Sequence, residues 1–502
     1  LRIAALDRIP GINGDEAWFG VQVEERLAQR PAFERTPSGL PLDPFHVVPL
    51  EFISRIAAPS FWALRFPAAF WNVLALVLAY PLLSRPFGGR PAFLTTVFIA
   101  ISPAAITYSR ISWEPSETVF FSLLVVALAA RGRTAAALFA FACSLLAHPA
   151  NVFLFPILLG VSAGVSRSAA PSKPKNVTLP SLLALVAVLA VAFFMGRFVL
   201  AEAPGLARGI TLPEGSTIWM RAIDPQEWVA TIRGLVRLLA GVTTGRSIAG
   251  SFSPGAETAI ETAGFLLFAM MFALAIPSWR GERPRLFTGI ALGFLVTIVS
   301  FHLVAGPGAL GAPHERYALV FVVPSCVLIA MLIETIRRSQ MWVASILAAA
   351  WTALSMFAFA TGYAGPFLQD GGNAHLTYRT GAIEPKKAAI DFLSSELRAG
   401  ETAEVLADSW WMYWPLRYLA IHESDRIRIE PAGFRHPPVV PPGADVPSLP
   451  AMPSRGFAIA FADSSPLRIP DSGREKFVAR DPRGRPILRG FELQPRSGER
   501  VP

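Results

Sequence analysis

Apolar stretches close to the length needed to cross a bilayer recur along this chain, and they constrain its fold more than any other feature. A hydrocarbon core of roughly 30 Å admits backbone only as helices or closed barrels, because every N–H and C=O must be satisfied inside the protein. Hydropathy and breaks give about ten such stretches: Phe66–Leu83, Pro91–Thr107, Glu117–Ala130, Thr134–Ala147, Asn151–Val165, Leu179–Leu200, Ala259–Pro277, Leu286–Ala305, Tyr317–Ile336 and Met341–Tyr363. The 53% hydrophobic and 16% charged content agrees with a membrane protein. The expected fold is mainly α, a polytopic transmembrane helix bundle followed by a small C-terminal α/β extracytoplasmic domain.

The net charge of +9 does not argue for nucleic acid, because much of the excess sits in short loops. The loops after the first, third, fifth, seventh and ninth stretches are Ser84–Arg90, Arg131–Arg133, Ser166–Lys175, Ser278–Arg285 and Arg337–Gln340, and all are basic. The intervening loops are less so, apart from a long one near Ala201–Thr258, which the positive-inside rule does not count. The basic set is therefore expected in the cytoplasm, in a bacterial inner membrane. Asp15, Glu114, His148 and Arg316 then lie on the outer side, with the tail after Tyr363. If Asp15 is outside, a span precedes it, and Leu1–Leu6 is too short for one, so the first span is expected to be truncated in this sequence.

Two domains are expected. Residues 1–363 form the transmembrane part, with outer loops 7–64 and 201–257, and residues 364–502 form the soluble part. Asn13, with Glu16 three residues on, fits a capping box. In the long loop, Asp224, Pro225, Glu227 and Gly241 mark the start and stop of a helix. Its Arg233 and Arg237 are read either as reaching lipid phosphates or as solvated on a helix packed against the bundle. In the tail, Lys386–Leu397 reads as helix. Ala403–Ala407, Arg426–Glu430 and Gly456–Phe461 read as strands, and Lys476–Glu492 as a strand pair. Trp410–Trp414 is an aromatic cluster, read as core or as membrane contact, and a Pro-rich loop follows near His436–Pro453.

The acidic pair Asp15-Glu16 stands beside the bilayer, where carboxylates are costly unless supported. It is read as helix capping, as a catalytic base, or as both. Glu114 and Glu117 open a stretch, where acids also suit the helix dipole. Arg65 and Arg110 at outer ends could hold phosphate or reach headgroups. Arg316 could do the same or pair with Glu315. His148 could orient a substrate or sit as a satisfied core residue, and His46 is a weaker candidate.

Several of these residues fall in recognisable motifs. Gly11-Ile12-Asn13-Gly14-Asp15-Glu16-Ala17-Trp18 is followed by Ala63-Leu64-Arg65-Phe66-Pro67-Ala68, Ile101-Ser102-Pro103, Tyr108-Ser109-Arg110 and Glu114, and later by Arg316-Tyr317 with Pro324. Together they resemble the GT-C membrane glycosyltransferases, especially the branch of lipid A aminoarabinose transferases and protein O-mannosyltransferases. The resemblance covers most of Leu1–Tyr363. It implies inverting transfer of a sugar from a polyprenyl-phosphate-linked donor, at the outer face, to a lipid, protein or glycan acceptor that the sequence does not specify. It implies Asp15 as base, with Glu16 and Glu114 in the catalytic set, although the family's residue at the Glu114 position is often Asp. Arg65, Arg110, His148, Arg316 and Tyr317 are the expected substrate contacts. A divalent cation, Mg or Mn, is a further expectation, with no nucleotide or redox cofactor. The alternatives are a lipid or glycan transporter or flippase, and an inactive GT-C-like binding protein.

Overall fold

Residues 2–37, 39–166, 218–250, 252–276, 284–432, 454–463 and 473–493 are described in the computed structural model. The expected span Leu179–Leu200, most of the long loop ahead of residue 218 and the Pro-rich loop near His436–Pro453 lie outside them.

The capping box forms as the sequence predicts. The Asn13 side chain accepts from the N–H groups of Asp15 and Glu16, the Glu16 carboxylate accepts from Asn13 N–H at 3.0 Å, and α1 (Gly14–Leu27) begins there. Asp43 caps α2 (Pro44–Ser54), and Ser60 caps α3 (Phe61–Phe87), the first of the long apolar helices.

Five helical stretches among the described residues are long and apolar enough to cross a membrane: Phe61–Phe87, Gly255–Ala275, Arg285–Val304, Glu315–Arg337 and Met341–Asp370. Between the first two lie α4 (Gly89–Ile101), α5 (Pro103–Tyr108), α6 (Thr118–Ala130), α7 (Thr134–Ala147) and α8 (Phe155–Ser166). The protein is thus an integral, multi-pass membrane protein. The expected stretch Pro91–Thr107 is broken between α4 and α5. Ser102 ends one helix and caps the next, which carries Pro103 in its first turn. The stretches at Glu117 and Tyr317 each open with a 3-10 turn, Glu114–Glu117 and Glu315–Phe321. The helix Val322–Arg337 is almost wholly buried at the centre of the bundle.

One crossing in the bundle depends on glycine. Gly160 and Gly164 of α8 meet Gly289 and Gly293 of the helix Pro284–Val304, so closely that a Cβ on Gly289 would overlap the Gly160 carbonyl oxygen. Small residues four apart let helix backbones touch where apolar burial alone does not favour one helix over lipid.

The helix in the long loop runs from Pro225 to Leu239, capped by Asp224, with Gly241 at φ 87 just beyond its end. The helix packs on the bundle through Leu235, Leu238 and Leu239, and Arg233 is exposed, as the second reading expects, but both arginines are also ion-paired. Arg233 pairs with Glu261, and Arg237 with Glu257 and Glu261, on the adjoining helix Pro254–Ala275. Nothing in the local residues signals this pairing, because it depends on how two helices pack.

The tail folds into a five-stranded sheet of order β2-β1-β3-β5-β4, where β1 is Thr402–Ala407, β2 Ile427–Pro431, β3 Ser454–Phe461, β4 Arg474–Arg480 and β5 Pro486–Leu493. β1 pairs in parallel with β2 and β3, while β5 is antiparallel to β3 and β4. All five expected strands are present. The aromatic cluster is the helix Trp410–Leu419, which carries the β1-to-β2 crossover, and Trp414 is fully buried.

The second core of the molecule crosses the chain's expected divide at residue 363. Ile12, Trp18 and Val21 of the N-terminal segment, Val47 and Leu50 of α2, and Leu64 of α3 pack with Trp414, Tyr418, Val405 and Phe457 of the tail. Gly14 allows this approach, since a Cβ there would lie 2.6 Å from the Trp410 ring.

Candidate active site

The N-terminal segment, the Ser109–Glu117 loop, the Glu315–Tyr317 turn and the tail converge around α1. Glu16 is fully buried and accepts two bonds from Arg65, Nε to Oε2 at 3.1 Å and a terminal nitrogen to Oε1 at 2.6 Å. The other terminal nitrogen of Arg65 donates to the carbonyls of Leu6 at 2.7 Å and Pro10 at 3.0 Å. With Asn13 N–H, Ser112 N–H at 3.1 Å brings the bonds that Glu16 accepts to four. Arg110 is also buried, and donates to the carbonyls of Ala5 and Ile9 at 3.1 and 2.7 Å. Arg65 and Arg110 therefore tie down the first ten residues of the chain, and neither guanidinium is presented to solvent.

Asp15 points the other way. It is only partly buried, and Oδ1 accepts from the indole N–H of Trp410 at 3.0 Å. Burial pushes its carboxyl above the ordinary aspartate range, and the positive charge of Arg316 opposes that rise. Arg316 lies over the rings of Trp113 and Tyr317 at 4.9 and 5.0 Å. Its only hydrogen bond among the described residues is to the Tyr317 hydroxyl at 3.2 Å. Pairing with Glu315 does not occur. Glu315 turns inward and accepts from the hydroxyls of Tyr108 and Ser247, each at 2.7 Å. His148 stacks on Tyr317 with ring centroids 5.5 Å apart, and its Nδ1 accepts from Ala150 N–H.

Behind this rim is a buried acidic cluster. Imidazole Nδ1 of His46 is 3.0 Å from Glu117 Oε1, and Nε2 is 3.0 Å from Ser112 Oγ. The single hydroxyl hydrogen of Ser112 goes to the Leu64 carbonyl at 2.6 Å, so Nε2 is the donor to Ser112. Burial holds His46 below its ordinary pKa, and a neutral ring then leaves Nδ1 as acceptor. Glu117 must carry the proton it donates to Nδ1. Asp43 neighbours the same Glu117, and burial together with that acid raises Asp43 well above the ordinary range. Glu114 is half-buried at the edge of the cluster and is raised to about 7, mainly by burial.

Asp15, Arg316, Tyr317 and His148 are thus brought to one rim, with Glu114 at its inner edge. Glu16, Arg65 and Arg110 form the support beneath. Sequence reading missed Trp113, the platform for Arg316, and Trp410, the donor to Asp15. It also missed Tyr378, a buried tyrosine whose environment includes both Asp15 and Arg316. Trp410 was visible only as part of an aromatic cluster far along the chain.

Among the described residues, no group of three or more His, Cys, Asp or Glu side chains could hold a metal ion. Glu16 is occupied by Arg65, and Glu117 by His46. The described side chains therefore do not fit the expected divalent cation, and no step below runs through one.

No protein-family model and no curated protein matches the sequence. The structure of ArnT from Cupriavidus metallidurans bound to undecaprenyl phosphate is similar over 97% of this chain and 95% of that one, with TM-score 0.51 and 13% identity. The Archaeoglobus fulgidus oligosaccharyltransferase in complex with Zn and sulfate aligns over 86% of this chain and 59% of that one, with TM-score 0.45 and 15% identity. The fold of the chain is thus similar to that of this ArnT, a membrane helix bundle carrying a small sheet domain.

Proposed function

We propose that the protein is an integral-membrane glycosyltransferase that moves a sugar from a polyprenyl-phosphate-linked donor to a hydroxyl acceptor at the outer face of the membrane. The observation that carries this reading is the pairing of a partly open carboxylate, Asp15, with an arginine that Glu315 does not neutralise, Arg316. In the proposed reaction Asp15 takes the proton of the acceptor hydroxyl. The acceptor oxygen bonds to the anomeric carbon as the bond from that carbon to the phosphate oxygen breaks, with inversion. The polyprenyl phosphate leaves with its negative charge facing Arg316 and the Tyr317 hydroxyl. A raised Asp15 suits a base, since general bases work best with pKa values near the operating pH. Glu16 and Arg65 act as positioning residues that hold the N-terminus of α1. Arg110 holds the preceding segment, and Glu114 shapes the inner wall. The similarity to an ArnT bound to undecaprenyl phosphate supports a polyprenyl-linked donor.

The test is transfer measured in proteoliposomes with a panel of polyprenyl-phosphate sugars, chosen from envelope glycans and lipids that change when the gene is deleted. Asp15→Asn is expected to lower kcat by about 10²–10⁴ without changing folding. Arg316→Ala is expected to weaken binding of polyprenyl phosphate itself. The wild-type rate should fall as pH drops through a value above the ordinary aspartate range, because the base must be ionised. Full activity of Asp15→Asn would remove Asp15 as the base.

A further inference from the structure

The far end of α3 borders a cleft that has no part in the reaction. α3 is 27 residues long, about 40 Å at helical rise, and Arg65 stands near its start. Near its other end, α3 and α4 face the helices Val322–Arg337 and Met341–Phe359 across a cavity of about 550 Å³. Its walls are apolar, with Phe93, Ile333 and Ala348 among them. The outer part of the wall faces lipid, since Phe93 is 59% exposed and Tyr80 is 47% exposed on membrane helices.

The mouth is basic. Arg337 is held bidentate by Glu334, both bonds at 2.8 Å, so that pair is locally neutral. Arg90 lies within electrostatic range of the same Glu334, whose carboxylate Arg337 already holds. Arg90 has no hydrogen bond or ion pair among the described residues. It sits in the first turn of α4, where a cation opposes the helix dipole, and the N-cap of that helix makes no side-chain hydrogen bond. The Tyr80 hydroxyl stands beside Gly89 in the same mouth. The charge left uncompensated is positive, and the walls below it suit acyl chain. The loop charges assign this end to the cytoplasmic leaflet, where anionic lipid attracts basic residues.

We propose that this cleft is a binding site for one anionic phospholipid, its phosphate on Arg90 and Tyr80 and its chains against Phe93 and Ala348. The site is separate from the one at Asp15 and does not depend on the proposed transferase reaction.

The experiment is native mass spectrometry of the purified protein, delipidated and re-equilibrated with equal phosphatidylglycerol and phosphatidylcholine. The wild type is expected to retain phosphatidylglycerol preferentially, by about fivefold, the size of one arginine's attraction to an anionic headgroup. Arg90→Ala, an exposed change that leaves packing intact, should abolish the preference. Ala348→Trp should fill the cleft and lower retention of both lipids. Equal retention by the wild type, or an undiminished preference in Arg90→Ala, would overturn the proposal. So would displacement of the lipid by millimolar inorganic phosphate, which would mean a free-phosphate site. Stronger retention of undecaprenyl phosphate than of phosphatidylglycerol would make the cleft a polyprenyl site instead.

Discussion

The two large cores of this molecule are sealed by different means. In the bundle, α8 and the helix Pro284–Val304 meet through glycines, and their contact is backbone against backbone. In the core that the N-terminal segment shares with the tail, the outer core in the sense that it lies outside the helix bundle, large aromatics surround buried charged and polar groups: Glu16 with Arg65, and Glu117 with His46 and the neighbouring Asp43. The difference follows from the solvent. Within lipid an apolar side chain gains little by leaving one apolar surrounding for another, so close fit decides. Facing water, apolar burial supplies the stability, and buried polar groups can be carried if every one is matched. Glu16 and Arg65 meet that condition, and their matched bonds fix the N-terminus of α1, where Asp15 stands.

The largest expected break is in the outer network. Arg65→Ala leaves Glu16 buried without its partner, a loss of about 3–5 kcal/mol. The thermal midpoint in detergent should fall accordingly. Arg65→Met combined with Glu16→Gln should recover much of that loss, because the uncompensated charge is gone. If the double variant is as unstable as Arg65→Ala, the ion pair is not what seals this core.

A smaller break is expected in the bundle. Gly289→Ala places a methyl group against the Gly160 carbonyl, and backbone cannot swing away as a side chain can. Overpacking of this kind costs about 1–3 kcal/mol. The loss should be confined to packing between the two helices. The polyprenyl phosphate binding proposed for the Asp15 end should be unchanged at temperatures below the new midpoint. A variant as stable as the wild type would show that this crossing has slack.

The two cores also differed in how legible they were. The capping box at Asn13 and the strands of the tail depend on neighbours in sequence, and they could be read directly. The broken stretch at Ser102-Pro103 carried its own signal, since a Ser-Pro pair is a helix start, but hydropathy averaged over it. The glycine pairs four residues apart were present in the sequence and unread. The fates of Arg65 and Arg110 were not legible at all. An arginine at an outer span end looks the same whether it meets a phosphate or the carbonyls of Leu6, Pro10, Ala5 and Ile9. The choice is made by a segment that folds back over the bundle. Likewise the donor to Asp15, Trp410, comes from 395 residues further along the chain.

The smallest expected effect concerns the acid cluster behind the rim, and it separates the cores by pH. Burial, with Glu117 beside it, raises Asp43 well above its ordinary value, while the bond it accepts from Phe45 N–H lowers it less. A carboxyl whose folded pKa is raised binds its proton more tightly in the folded state than in the unfolded chain. Its contribution to stability is complete below the unfolded value and is lost as pH rises toward the folded one. The outer core should therefore weaken from mildly acidic to neutral pH. The loss is about 1.4 kcal/mol for every tenfold difference in proton affinity between the folded and unfolded chain. Asp43→Asn replaces the titrating carboxyl by an amide that does not titrate. It also keeps the oxygen that caps α2 through Phe45 N–H. The variant should flatten that slope without moving the midpoint at acid pH. Hydrogen exchange resolves the two cores, and only amides of the outer one should show the change. An unaltered slope in Asp43→Asn would mean that Asp43 is already ionised in the folded protein, with the cluster's proton held by Glu117 alone.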